Sequence, residues 1–247
     1  MAGHSKFKNI MHRKGAQDKR RAKKFARLIK ELQVAARSSV DPDSNPRLRT
    51  ALSACKAANM PKDNIQRVLN KANSGEQNNI EDIRYEGFGP GGTAIIVEAL
   101  TDNRNRTASE VRSTFTKYNG NLGESGSVTY MFKNLGLIIY DITDDLNIDD
   151  ILDFAIECGA ADVNVEENKV EILTSIPDFN ELRDKLEQRF GLPEQCEISW
   201  IPENYINLDE EKSISMLKFL EVLDNCEDVQ NVFGNFNLNP HVLEKYN

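Results

Sequence analysis

Histidine is scarce in this 247-residue sequence: only His4, His12 and His241 occur, all near the ends of the chain. No two of them have the spacing of metal ligands, and no serine or cysteine sits in a nucleophile motif, so no catalytic residue, metal site or cofactor is nominated. The four cysteines, Cys55, Cys158, Cys196 and Cys226, form no CxxC pair. That spacing argues against a zinc ribbon or a compact disulfide framework and for free, mostly buried thiols. Nowhere does the chain approach the roughly 18 to 20 apolar residues of a membrane span. Low-complexity tracts are also missing, as expected of a chain that folds. The basic first 30 residues lack both the apolar core of a secretory signal and the serine richness of a mitochondrial presequence, and they read as mature protein.

Acidic residues are nearly absent from the same stretch. Eleven cations stand against the single acid Asp18 up to Lys30. Over Met1 to Lys71 there are 18 Lys and Arg against 5 Asp and Glu, a balance of +13, while the remaining residues hold 13 against 34, a balance of −21. The net charge of −8 therefore conceals a segregated chain. Such asymmetry is the footprint of a module that meets a polyanion, joined to modules that do not.

Met1 to Gln17 shows no sustained apolar period and reads as an extended arm. From Asp18 to about Ser38, Phe25, Leu28, Ile29, Leu32, Ala35 and Ala36 recur at helical spacing. At about 100° per residue, Lys19, Arg20, Lys23, Arg27 and Lys30 fall on the face opposite that stripe. Asn45 as N-cap and Pro46 at the first helical position announce a second helix with Leu48, Leu52, Cys55 and Ala58 inward. Pro61 ends it and starts a third, carrying Ile65, Val68, Leu69 and Ala72, with its exit at Gly75. Strands then dominate. Ile83–Phe88 and Thr93–Leu100 flank the turn Gly89–Gly92; the capping-box sequence Thr107-Ala108-Ser109-Glu110 opens a helix; and a glycine-rich loop leads to a strand at Ser127–Phe132. Leu135 to Ile201 reads β-α-β-β-α-β, the ferredoxin-like order. A helix from Asp209 and a strand at Val229–Phe233 complete the preceding unit. The expected fold class is α+β, with three domains: residues 1–76, a basic arm and three-helix bundle; 80–132 with 205–240, a discontinuous α/β domain; and 133–204, a third α/β domain inserted in the second, both α/β domains being ferredoxin-like.

The candidate site is a nucleic-acid-binding surface made by Lys6, Phe7, Lys8, His12, Arg13 and Lys14 of the arm and Lys19, Arg20, Lys23, Arg27 and Lys30 of the first helix. Cations track phosphates, and an aromatic ring among them can stack on an unpaired base. Arg21 and Lys24 belong to the same run. Arg104 and Arg106, at a helix entrance, form either a second phosphate contact or part of a structural loop. The second and third helices could form a helix-turn-helix with Lys62, Arg67 and Lys71 on the outer element, although nothing in the sequence marks a groove-facing stripe of base readers. Gly87 to Gly92 lacks the Lys-Ser/Thr ending of a phosphate loop and reads as a hairpin turn. Asp144, Asp145, Asp149 and Asp150 precede or open a helix, where carboxylates favour the dipole rather than a metal.

Met1-Ala2-Gly3-His4-Ser5-Lys6, Asn9-Ile10, His12-Arg13-Lys14, Gly87 to Gly92, Thr101 to Thr107, Glu110-Val111-Arg112 and Gly123 to Met131 together resemble the YebC/PmpR family over essentially the whole chain. The resemblance implies three domains with the third inserted in the second, a bacterial cytoplasmic location, and DNA-binding regulation of transcription. It also implies a link to translation, including relief of ribosomes stalled on proline runs, and kinship to a mitochondrial translational activator of cytochrome c oxidase. Phe7 stands where the family usually has Trp, and Asn119 where Gly is common.

Two binding functions follow, a DNA-binding transcriptional regulator and a ribosome-associated factor on ribosomal RNA; an enzyme or small-ligand domain is the remote third. Neither binding function calls for a membrane. Either one predicts that affinity falls steeply between about 50 and 200 mM salt, because several phosphate contacts release counterions. Anisotropy titrations at graded salt check this, and a flat profile removes the electrostatic argument.

Overall fold

In a computed structural model, residues 17–74, 79–143, 146–166 and 168–246 are described. The expectations for the arm (Lys6, Phe7, Lys8, His12, Arg13, Lys14), for Gly75 and for Asp144 and Asp145 concern residues outside these. The fold is α+β, with N-terminal helices and two sheet units.

The helical unit comprises α1 (Gln17–Ala35), α2 (Pro46–Ala57) and α3 (Lys62–Asn73). Leu32, Ala35 and Ala36 are buried with Leu48, Ala51 and Cys55 of α2 and Val68 of α3, and Phe25, Leu28, Ile29, Leu52, Ile65, Leu69 and Ala72 pack around them. Ala51 takes the buried place expected for Ala58, which instead closes α2 by donating its N–H to the Ala54 carbonyl at 3.0 Å. Helix α1 also ends earlier than the expected Ser38. The reason is Asn45, whose side-chain amide donates to the carbonyls of Ala35 and Ser39, each at 2.7 Å, so the Ala35 acceptor no longer has to continue the helix. The Asn45 Oδ1 meanwhile accepts from the Leu48 N–H at 3.1 Å, capping α2. One buried carboxamide thus stops one helix and starts the next.

Strands β1 (Glu81–Phe88) and β2 (Ala94–Thr101) pair antiparallel across a 3₁₀ turn at Pro90–Gly92. Gly91 has φ of 76°, and a Cβ there would come within 2.6 Å of Leu208, so the turn needs glycine at this position. Helix α4 (Arg104–Lys117) begins at Asn103, whose side chain accepts from the Arg106 N–H at 3.1 Å. The capping box expected at Thr107 is therefore overturned: Thr107 is inside the helix and points its hydroxyl into the protein. Asn119, in place of the more common glycine, adopts φ of 57° as the chain leaves α4. A short strand β3 (Asn121–Leu122) pairs with β1. The strand expected at Ser127–Phe132 is replaced by a loop and a 3₁₀ turn, Thr129–Met131. Glu86, buried on β1, accepts the N–H groups of Val128 and Thr129 at 3.1 and 3.0 Å, which removes the donors that a strand would offer to a neighbour. Burial alone would raise the Glu86 pKa, but donors of the 126–129 segment bring it down to about 2.

Next come β4 (Phe132–Asp141), α5 (Ile148–Glu157), β5 (Asp162–Glu166), β6 (Lys169–Thr174), α6 (Phe179–Phe190) and β7 (Gln195–Pro202). Their antiparallel sheet has the order β5-β6-β4-β7, which with β-α-β-β-α-β connectivity is ferredoxin-like. Ile138, Tyr140, Val170 and Ile172 bury one face against Ile151, Ala155, Phe179, Leu182 and Leu186. Asp149 and Asp150 stand in the first turn of α5, where the Asn147 cap accepts from their N–H groups.

The chain then returns to the earlier sheet through β8 (Ile206–Asn207), α7 (Glu210–Asn225), β9 (Val229–Gly234), β10 (Phe236–Asn237) and α8 (Pro240–Tyr246). Strand β9 pairs with β2, giving the order β3-β1-β2-β9, so the sheet is closed only after the second unit has been made. Ile95 and Val97 pack against Val111 and Phe115 of α4 and Met216, Phe219 and Leu220 of α7. On the other side, Ala94, Ile96 and Phe233 pack with Val128, Phe132 and Trp200, the last from β7. Trp200 also donates to Glu98 at 2.9 Å and lies 4.9 Å beneath the Arg84 guanidinium, fastening the two sheet units together.

Replacing Asn45 by Ala removes the α2 cap and strands the Ala35 and Ser39 carbonyls; the expected cost is about 2 kcal/mol in chemical denaturation. A loss below about 0.5 kcal/mol would contradict the double role assigned to this side chain.

Candidate nucleic-acid interface

Lys23, Arg27 and Lys30 follow one another at one-turn spacing on the α1 face away from the helical core. The sequence leads one to expect this face in solvent, available to phosphates. In the folded chain it lies instead against the end of α7 and the start of β9. Lys23 Nζ meets Asp224 Oδ2 at 2.6 Å, and Arg27 Nη1 meets Asp224 Oδ1 at 2.9 Å. Arg27 Nη2 adds a bond to the Asp224 carbonyl at 2.9 Å. Lys30 Nζ meets Asp228 Oδ1 at 2.7 Å and donates to the Glu227 carbonyl at 3.1 Å. The three cations retain only about a quarter of their side-chain exposure.

Asp228 is the centre of this contact, with its side chain 3% exposed. Its second oxygen accepts from Arg106 Nη2 at 2.8 Å, Thr107 Oγ1 at 2.7 Å and Thr101 Oγ1 at 3.1 Å. Arg106 is further held by Asp102 at 3.0 Å. The two cationic stretches singled out in the sequence, on α1 and at the start of α4, thus come together around one carboxylate. Burial would raise the pKa of Asp228, but Lys30, Arg106 and Thr107 outweigh it and hold the carboxyl well below the usual carboxylate range. At Asp224 burial is likewise outweighed, by Arg27 and Lys23, and the pKa falls. Lys23 also titrates low, because burial of its ammonium outweighs the pull of Asp224. Asp224 stays charged because two cations serve that one anion.

Two more contacts secure the helical unit. Arg47 bridges Glu31 at 2.7 Å and Asp82 of β1 at 3.1 Å, and Arg37 donates to the Ile80 carbonyl at 2.7 Å. Lys19 and Arg20 stand on the first turn of α1, but their side chains are outside the described set. Arg104 is exposed, and its carbonyl accepts from the Tyr85 hydroxyl at 3.5 Å.

Cations still facing solvent include Arg21, which lies over the Phe25 ring at 5.3 Å, and Lys24. The outer face of α3 also exposes Lys62, Gln66, Arg67, Asn70 and Lys71. Asp63, Gln66, Arg67, Asn70, Lys71 and Ser74 line an open groove there. Gln66 donates to Asn70 one turn further on at 2.9 Å. This is the stripe of paired amides that the sequence reading did not find; its signal was Gln66 and Asn70 at i, i+4 on the side of the helix away from Ile65, Val68 and Leu69. Among the described residues, no helix is long and apolar enough to cross a membrane, and no group of three His, Cys, Asp or Glu side chains could hold a metal.

Fold and site define a class: an α+β protein in which a basic helical unit is carried on two acidic sheet units. Residues 5–75 match the model of the TACO1/YebC N-terminal domain, and residues 80–236 that of the TACO1/YebC second and third domain. The chain belongs to the TACO1/YebC family. It is 52% identical to a "Probable transcriptional regulatory protein" of Rickettsia rickettsii (strain Sheila Smith), over 99% of this chain and 98% of the relative. A protein of the same description in Rickettsia bellii (strain OSU 85-389) is 51% identical over 99% and 96%. Among solved structures, a conserved hypothetical protein from Aquifex aeolicus is 41% identical with a TM-score of 0.80, covering 89% of this chain and 91% of that one.

Asp228→Asn leaves Lys30 and Arg106 short of a charge and should cost about 3 kcal/mol. Because the Asp228 pKa is depressed in the folded state, its contribution is fully present above the unfolded value of about 3.9 and is lost as pH falls through the lower folded value. The stability gap between wild type and variant should therefore shrink below about pH 4. A gap that stays constant across that window would rule out the charged network as its source.

Proposed function

We propose that the chain is a nucleic-acid-binding regulator of gene expression, a DNA-binding transcriptional regulator acting in the bacterial cytoplasm and without catalytic activity. The observation that carries this reading is the outer face of α3, where Gln66 and Asn70 stand one turn apart between Arg67, Lys71 and Lys62. Amide side chains pair with the major-groove edge of adenine, guanidinium with that of guanine, and flanking lysines with phosphates. Helices α2 and α3, joined by a short turn, suit a helix-turn-helix presentation. The names of the Rickettsia relatives support the same assignment.

The basic arm, with Lys6, Phe7, Lys8, His12, Arg13 and Lys14, and the α1 cations Lys19, Arg20, Lys23, Arg27 and Lys30 supply the phosphate contacts in this proposal, with Arg104 and Arg106 as a second patch. The domain division proposed with it is 1–76, 80–132 with 205–240, and 133–204, which the closure of the first sheet by β9 supports. One observation favours a second reading, a ribosome-associated factor: eleven cations interleaved with Phe7 in the first thirty residues suit structured RNA with unstacked bases.

Crosslinking in cells followed by sequencing of the attached nucleic acid separates the two readings, since promoter DNA supports the first and ribosomal RNA the second. For the first, Gln66→Ala with Asn70→Ala should weaken binding to the recovered site by about 10-fold or more and leave non-specific affinity unchanged. Equal affinity of the wild type for every duplex would overturn sequence readout by α3.

A further inference from the structure

The docked face of α1 has the chemistry of an anion site, and its occupants are carboxylates. Lys30 is the α1 donor to Asp228, whose other donors, Arg106, Thr107 and Thr101, belong to the same sheet unit as the carboxylate; the Lys30 ammonium is equally suited to a phosphate oxygen. Asp224 closes on Lys23 and Arg27 in the same way. We infer that Asp224 and Asp228 occupy the phosphate positions of a nucleic-acid-binding face, so that the closed chain is self-blocked and a phosphate backbone must displace the helical unit from the sheet units in order to use Lys23, Arg27 and Lys30. This rests on the nucleic-acid reading above and adds how that binding is controlled.

Three observations support the exchange. First, the contact is polar rather than apolar: the α1 residues involved are lysines and an arginine, and separating them from the acids exposes no hydrophobic core, because the helical unit keeps its own. Secondly, Asp224 lies in the last turn of α7, where a negative charge opposes the helix dipole. An acid is unfavourable there unless a cation from elsewhere meets it. Thirdly, all three α1 partners are cations on one helical face, so a run of phosphates can replace the carboxylates together. Self-blocking multiplies the apparent dissociation constant by the reciprocal of the open fraction, so binding stays weak unless the target supplies several phosphates at once.

The test uses the full chain with a DNA duplex of about 30 base pairs and, separately, an RNA hairpin of about 30 nucleotides, each long enough to offer more phosphates than the face has cations. Zero-length carbodiimide coupling joins ammonium and carboxylate groups already in contact, so mass spectrometry reads the Lys23–Asp224 and Lys30–Asp228 crosslinks directly. Both should fall at least about fivefold at saturating probe, and Asp224→Asn should bind the probe about three- to tenfold more tightly, since loosening one pair enlarges the open fraction. Binding with undiminished crosslinks, or an Asp224→Asn variant of normal helical content that binds no better than wild type, would overturn the exchange and leave the nucleic-acid reading standing. If neither wild type nor variant binds either probe at low salt, both fall together.

Discussion

Asp228 sits where three parts of the molecule meet, and its charge decides how they are arranged. Thr101 ends β2, Arg106 and Thr107 stand in the first turn of α4, Lys30 comes from the helical unit, and Asp228 itself precedes β9. A carboxylate with a side chain 3% exposed survives only because every face of it is met by a donor. Remove the cations and the ion would be uncompensated; remove the ion and two cations and two hydroxyls would lose their common acceptor. The start of α4 at Asn103, the approach of β9 to β2 and the docking of α1 are therefore linked through one side chain.

Such an arrangement differs in kind from the apolar cores beside it. The sheet units bury Ile95, Phe115 and Phe219 on one side and Ile96 and Phe233 on the other, and they are joined by Trp200. The helical unit buries Leu32, Leu48 and Cys55 among its own helices. Between helices and sheets the contact is by charge: Lys23, Arg27 and Lys30 on Asp224 and Asp228, with Arg47 on Asp82. The pairs at Asp224 and Asp82 are partly exposed and screened by salt, whereas the Lys30–Asp228 pair is shielded by the burial of its carboxylate.

Much of the fold was readable from local rules. The apolar stripe from Phe25 to Ala36, the Asn45–Pro46 start of α2 and the strand and helix order from Leu135 to Ile201 each depend on neighbours in sequence, and each stands in the structure with small shifts at the ends. Two of the failures involve capture of a local signal by another polar group. Thr107 lost its role as a cap because Asn103 caps first and the Thr107 hydroxyl serves Asp228; Ser127–Phe132 lost its strand because Glu86 takes two of its N–H groups. At the candidate site, the grouping of cations on one α1 face was apparent, whereas their partners were not, since Asp224 and Asp228 lie some two hundred residues away. Their one local mark was an acid in the last turn of α7, against the dipole. Local rules broken without local compensation tend to mark function.

If the charge junction between helical and sheet units gives way to nucleic acid, the protein expands on binding. Neutron scattering of the full chain, with the nucleic acid matched out by solvent contrast, sees the protein alone in its free and bound states. A larger protein radius of gyration is expected in the complex than in the free chain. An unchanged radius at saturation would contradict it.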